Sequence, residues 1–156
     1  GGSDLVLRSC SVDTIVRASV RRFAGEFITR RLKLDYTPLD VSCVTDEKWL
    51  RFVVEQVLSN ALKYTREGGI SIYLEAPKTL VIRDTGIGIA PEDLPRIFEK
   101  GFTGCNGRTD KRATGIGLYL CRRILEKLGH TIAITSAVGV GTTVRIGLAQ
   151  DALEVE

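Results

Sequence analysis

The sequence predicts an α+β fold, with one mixed or mainly antiparallel sheet covered on one face by helices. Three observations carry this. Helix-like and strand-like segments follow one another as helix, strands, long helix, two strands, loop, helix, two strands. No repeated βαβ unit occurs, which argues against a Rossmann fold or a P-loop core. The 156 residues, 44% hydrophobic and 26% charged, can build a core without disulfides or a structural metal.

Each element has its own warrant. Ser11 is a helix cap, with Asp13 in the first turn and Ile15, Val16, Ser19, Val20 and Phe23 following at helical spacing. Phe27, Thr29, Leu32, Leu34 and Tyr36 suggest a strand over Phe27–Asp35, which Pro38 breaks. A short strand is expected at Val41–Val44. Asp46 caps a long helix running to about Thr65, striped by Leu50, Val53, Val54, Val57, Leu58, Ala61 and Leu62. Gly68-Gly69 ends it. Ile70–Glu75 and Thr79–Arg83 are strands joined by Ala76-Pro77-Lys78, a link short enough to favour antiparallel pairing. Pro91 is expected to start a short helix. Residues Gly101–Gly115 are rich in Gly and polar groups and read as a long lid. Ile116–Leu128 is a helix stopped by Gly129, and Thr131–Ala137 with Gly141–Leu148 forms a last hairpin alternating in period 2.

Composition excludes several classes of function. Lys plus Arg is 22 against 19 Asp plus Glu, a net charge of +3, too small to argue for nucleic acid or a membrane surface. No apolar run approaches the roughly 18 residues that span a bilayer. Cys10, Cys43, Cys105 and Cys121 lack the CxxC spacing of zinc or redox motifs, so free thiols are expected, with Cys105 the exposed one. His130, the sole histidine, follows a helix-stopping Gly and is expected at the surface or a sheet edge. Gly1-Gly2-Ser3 and the absence of Met suggest a tag scar over residues 1–3 on a domain of 4–149, with a tail at 150–156 and the lid at about 99–114.

Three segments could carry chemistry. On the long helix, Gln56, Asn60, Lys63 and Tyr64 share one stripe beside the buried one. An Asn there can offer its oxygen to a hard cation, and Lys63 can face a phosphate. A solvated polar face explains the same pattern. Asp84-Thr85-Gly86-Ile87-Gly88-Ile89 leaves a strand, where the Asp can accept from an exocyclic amine and the glycines admit close approach. An Asx turn is the plainer alternative. Thr114-Gly115-Ile116-Gly117-Leu118 opens a helix whose free N–H groups suit an anion, or serves only as a hinge. Thr142 and Thr143 could add hydroxyls from the last hairpin, or reflect β-propensity alone.

Together these segments resemble the ATP-binding catalytic domain of sensor histidine kinases, within the gyrase, heat-shock-chaperone, histidine-kinase and mismatch-repair ATPase superfamily. Gln56–Thr65 is similar to the N box, Asp84–Ile89 to the first glycine box, Arg96–Phe102 to the F box and Gly115–Leu118 to the second glycine box. Gly139-Val140-Gly141-Thr142 closes the pattern, which spans about residues 11 to 149. The wording at Phe102–Arg108 and Gly117–Cys121 resembles small membrane-bound kinases of Gram-positive bacteria that sense envelope stress or antimicrobial peptides.

The resemblance implies a two-layer sandwich of Bergerat type, with about five strands in the sheet. It implies ATP and Mg2+ as cofactors. Asn60 would hold the metal, with Gln56 standing where many relatives carry another Asn. Asp84 would accept from the adenine amine, aided by Thr142 or Thr143, with Gly86 and Gly88 shaping the pocket and Ile87 against the base. Lys63 and Tyr64 would flank the phosphates, and Gly115, Gly117 and Leu118 would close on them, with Arg108 and Lys111 as further phosphate candidates. Arg112 belongs with those lid candidates, and Phe98 and Phe102 would pack on the lid or a partner domain. The γ-phosphoryl group would go to a histidine on a dimerisation domain of the same parent, then to a response regulator. No segment here resembles those dimerisation helices, so the fragment is expected to be a cytoplasmic monomer. The parent would be a homodimer in a bacterial plasma membrane. A degenerate docking module or an anti-sigma serine kinase is the alternative reading.

Overall fold

The computed structural model describes residues 5–102 and 117–149. Along the chain come β1 (Arg8–Ser11), α1 (Val12–Arg22), α2 (Ala24–Thr29), β2 (Lys33–Tyr36), β3 (Ser42–Thr45), α3 (Glu47–Tyr64), β4 (Gly69–Glu75), β5 (Thr79–Asp84), α4 (Gly117–Leu128), β6 (Thr131–Ala137) and β7 (Gly141–Gly147). A five-stranded sheet runs β2-β4-β5-β7-β6, and β1 pairs with β3 in a separate two-stranded ladder. Only β2–β4 is parallel within the large sheet, so it is mixed, as expected.

The caps are where the side chains require them. Ser11 accepts from the Thr14 N–H at 3.2 Å and starts α1. Asp46 accepts from the Trp49 N–H at 3.1 Å and starts α3, while its second oxygen takes the Val6 N–H at 2.8 Å. Along α3 the stripe from Leu50 to Leu62 is fully or almost fully buried. It meets α1, α4 and the near face of the sheet, where Ile70, Ile72, Leu80, Ile82, Val144 and Ile146 alternate inward. The far face is polar apart from the buried Val81, with Arg145 bonded to Glu75 at 2.9 Å.

Three sequence expectations are corrected, and one strand had gone unpredicted. Phe27–Asp35 is not one strand: residues 24–29 are helical, Arg31 turns at φ 56, and only Lys33–Tyr36 is extended. Phe27 and Leu32 fit either period in so short a run, and the Leu32 N–H closes back on the Phe27 carbonyl at 3.0 Å. Pro91 starts a turn, followed by a 3-10 turn at Leu94–Arg96, and no α-helix forms. Pro95 has no N–H for the carbonyl four residues back and restricts Leu94, so an α-helix cannot propagate. β1 went unseen because Arg8–Ser11 has no hydrophobic pattern. His130 is 3% exposed, its Nε2 2.9 Å from the Thr45 hydroxyl, so it is a core residue and not an edge one.

Cys10, Cys43 and Cys121 are buried free thiols. Burial pushes the Cys43 thiol up to about 11 and the Cys121 thiol up to about 12. Cys105, the lid, residues 1–3 and the tail lie outside the described residues. Among the described residues no helix is long and apolar enough to cross a membrane.

Candidate functional site

The site is assembled where β5, α3 and the β6–β7 hairpin meet. β5 carries Leu80, Ile82 and Asp84 on its helix-facing side, so its last residue arrives at the rim of the core. Asp84 is 9% exposed. Its Oδ1 accepts from the Gly86 N–H at 2.8 Å and the Thr142 N–H at 3.1 Å. Oδ2 takes no hydrogen bond from the described residues. Burial raises the carboxyl above its usual range, and the two backbone bonds oppose that shift.

The loop after Asp84 is clamped by backbone. Ile87 donates its N–H to the Tyr64 carbonyl at 3.0 Å and accepts the Gly139 N–H at 2.9 Å, tying α3 to the hairpin turn. Two glycines are required there by close approach. A Cβ on Gly86 would stand 2.5 Å from the Tyr64 carbonyl oxygen. Gly88, at φ +79, has the Ala137 carbonyl oxygen 2.2 Å from its Cβ position. The glycines therefore serve the protein's own packing at this loop.

Gln56, Asn60, Lys63 and Tyr64 are half-buried along α3, beside the buried Val53, Val57 and Ala61. Lys63 Nζ lies 5.9 Å from the Tyr64 ring centroid. Gln56 faces the start of α4, where its Oε1 would be 3.2 Å from a Cβ on Gly117. Leu118, next on α4, is half-buried. Gly115, Arg108, Lys111 and Arg112 lie outside the described residues. Of the F-box residues, Phe98 lies under the Arg122 guanidinium at 5.1 Å and Phe102 under Arg96 at 4.9 Å.

The two threonines separate. Thr142 is the register partner of Asp84, whereas Thr143 pairs with Arg83. Side chains alternate along a strand, so Thr142 shares the core face of Val144 and Ile146 while Thr143 stands on the far face with Arg145. Thr143 is not brought to Asp84.

Two residues were missed. Ser136 sits opposite Thr142, with the hydroxyls 2.7 Å apart. It accepts the Ile89 N–H at 2.8 Å and donates to the Gly141 carbonyl at 2.9 Å. The hairpin register contained the signal, since a turn at 138–140 sets 136 opposite 142. Thr65 is fully buried, and its hydroxyl has no partner among the described residues. A Cβ on Gly86 would lie 3.0 Å from that hydroxyl and 2.9 Å from Asp84 Oδ1. No sequence signal distinguishes this hydroxyl from an ordinary helix-end Thr.

Chemically, the arrangement offers a buried acceptor aimed out of the sheet, amide oxygens and a cation along α3, and a helix start opposite. Among the described residues no three His, Cys, Asp or Glu side chains could hold a metal. The carboxamides of Asn60 and Gln56 are hard-oxygen donors, which fits Mg2+ only when phosphates supply further ligands.

The family model for histidine kinase-, DNA gyrase B- and HSP90-like ATPases matches residues 45–152. The sensor protein BceS of Halalkalibacterium halodurans is 38% identical over 144 residues, covering 90% of this chain and 43% of that protein. GraS of Staphylococcus aureus, a sensor protein kinase, is 46% identical over 105 residues, covering 65% of this chain and 30% of that one. The chain thus spans less than half the length of these curated relatives. Among solved structures, the mycobacterial sensor histidine kinase MprB superposes with a TM-score of 0.74 at 25% identity, covering 92% of this chain and 97% of that one. Full-length ShkA in complex with AMPPNP shares the fold at a TM-score of 0.77 and 23% identity, covering 94% of this chain and 32% of that one. The matched range takes in α3, β5 and the β6–β7 hairpin: the chain belongs to the histidine kinase-, DNA gyrase B- and HSP90-like ATPase family, as a catalytic ATP-binding domain of the histidine-kinase kind.

Proposed function

We propose that this chain binds ATP with its adenine amine on Asp84 and its phosphates along Asn60, Lys63 and Tyr64 toward the start of α4. In the longer protein it donates the γ-phosphoryl group to a histidine of a dimerisation domain in the same parent. The bond from the γ-phosphorus to ADP breaks, a bond to the imidazole nitrogen forms, and the ring proton leaves. The phosphoryl group then passes to an Asp of a response regulator. The names of BceS and GraS, both sensor proteins, support a sensory parent, and we place this domain on the cytoplasmic side of a bacterial membrane.

The observation that carries the reading is Asp84: a buried carboxylate with one oxygen saturated by two backbone N–H groups and the other left for a ligand. Adenine presents an amine there, and guanine presents an acceptor. Bound Mg2+ would neutralise phosphate charge, and Asn60, with Gln56 beside it, is the residue of this chain offered to it. Thr142 and its hydroxyl partner Ser136 steady the Asp84 end, and Lys63 adds positive charge for the phosphates.

Calorimetry with ATP and GTP, each with and without Mg2+, tests this. ATP should bind at least about a hundredfold tighter than GTP, because GTP leaves the buried acceptor unpaired. Asn60→Ala should remove the Mg2+-dependent gain in affinity while circular dichroism stays native. Equal affinity for both nucleotides would sink the role of Asp84, and a full Mg2+ effect in Asn60→Ala would sink that of Asn60.

A further inference from the structure

Arg30, the residue that closes α2, bonds to the end of α3 that holds residues 85–89, the adenine loop of the proposed function. Its guanidinium donates from Nη1 to the Leu62 carbonyl and from Nη2 to the Thr65 carbonyl at 2.7 Å. Those two carbonyls bracket Lys63 and Tyr64, and the Tyr64 carbonyl accepts the Ile87 N–H at 3.0 Å. Thr85 fastens the other side of the same joint: its hydroxyl donates to the Glu67 carbonyl at 3.0 Å and accepts the Gly69 N–H at 3.0 Å. Glu26, one turn earlier on α2, holds Arg30 at 3.1 Å.

The last four carbonyls of a helix have no donors within it. At the end of α3, Arg30 takes that of Leu62 and the adenine loop takes that of Tyr64. A cation there also opposes the negative end of the helix. The planar guanidinium reaches two carbonyls at once, which a lysine ammonium on a flexible stem cannot reproduce as a fork.

We infer that Arg30 is a positioning residue for the adenine loop. Its fork fixes the carbonyls that bracket Lys63 and Tyr64. The Tyr64 carbonyl between them anchors Ile87, and Ile87 sets where Gly86 and the Asp84 carboxylate stand. The effect on nucleotide rests on the reading of Asp84 as the base acceptor; the effect on the loop does not.

The test compares the intact chain with Arg30→Met, Arg30→Lys and, as a control cap remote from the loop, Ser11→Ala. Three readouts are taken: amide hydrogen exchange at Ile87 against Ile82 without nucleotide, melting temperature, and calorimetric affinity for Mg-ATP and adenosine. In Arg30→Met, exchange at Ile87 should rise about tenfold over Ile82, and both affinities should fall by a common factor of about ten. Arg30→Lys should melt close to the parent yet lose Ile87 protection and affinity as Arg30→Met does. Unchanged exchange at Ile87 in both variants overturns the inference. So does faster exchange with unchanged affinity, or an equal affinity loss in Ser11→Ala at the same melting temperature. If the parent chain binds no ATP, the proposed function fails, and exchange at Ile87 still decides whether Arg30 sets the loop.

Discussion

Two buried aspartates stand at strand ends in this protein, and they are put to different uses. Asp46, 6% exposed, follows β3 and has both oxygens occupied by backbone, one by Trp49 and the other by Val6. Asp84, 9% exposed, ends β5 and puts both of its backbone bonds on a single oxygen. The first is closed and holds a helix start to the chain before it. The second is held through one oxygen, and its other oxygen takes no hydrogen bond from the described residues. Burial alone does not separate them, nor does charge. The distribution of donors over the two oxygens does, and it is the ground on which Asp84 is proposed as a ligand acceptor.

Exchanging their chemistry should therefore give opposite results. Asp84→Asn can keep its carbonyl on the Gly86 and Thr142 N–H groups, which turns an NH2 toward the adenine amine. ATP affinity should fall about a thousandfold, from loss of a charge-assisted bond plus two opposed donors. Stability should hold or rise. The folded pKa of Asp84 lies above its unfolded value, so its contribution is fully present below about 3.8 and lost as pH rises through the folded pKa. Asn never pays that ionisation penalty at pH 7. Asp46→Ala should do the reverse, costing about 2 kcal/mol of stability through the lost cap while ATP affinity stays within error. Calorimetry and thermal melts on both variants check this, and a large stability loss in Asp84→Asn would break the contrast.

The Asp46 end holds a second buried group that sharpens it. His130 reaches Thr45, the residue before Asp46, and its Nδ1 has no partner among the described residues. Desolvation lowers its pKa from 6.5 to about 4, so it is neutral in the native state. The unfolded chain takes up a proton below 6.5, so stability is full above that pH and falls toward pH 4, by up to about 3 kcal/mol. Asp13, held down to about 2 chiefly by the Tyr36 hydroxyl, acts in a separate window below 3.8. In denaturant melts between pH 7 and 4, the parent should lose more stability on acidification than His130→Gln, the difference being the histidine's share.

What could be read from the sequence follows the range of the interactions. The stripe and caps of α3, the β4–β5 hairpin and the last hairpin are local patterns, and all were legible. The Asp84 segment drew notice only through its resemblance, because its glycines answer to the Tyr64 and Ala137 carbonyls, which are distant in sequence. Residues 24–32 were not, since six helical residues carry too few apolar positions to fix a period. His130 was misplaced because its partner lies 85 residues away. Arg30 was invisible for the same reason, its two carbonyls being 32 and 35 residues distant.

The smallest effect is expected within one dipeptide. Thr142 and Thr143 are both β-branched, so Val at either position keeps strand propensity and shape. Thr142→Val retains the backbone N–H to Asp84 and loses only the hydroxyl that meets Ser136 at 2.7 Å. If Asp84 accepts the base as proposed, one hydrogen bond beside it corresponds to roughly tenfold in ATP affinity. Thr143→Val changes the far face, where its neighbours across the ladder are Arg83 and Thr135, and should leave affinity unchanged. Since the two positions differ by a single residue, the ratio of their effects reads out which face of the sheet the base occupies. A loss in Thr143→Val equal to that in Thr142→Val would move the base off the helix-facing side and away from Asp84.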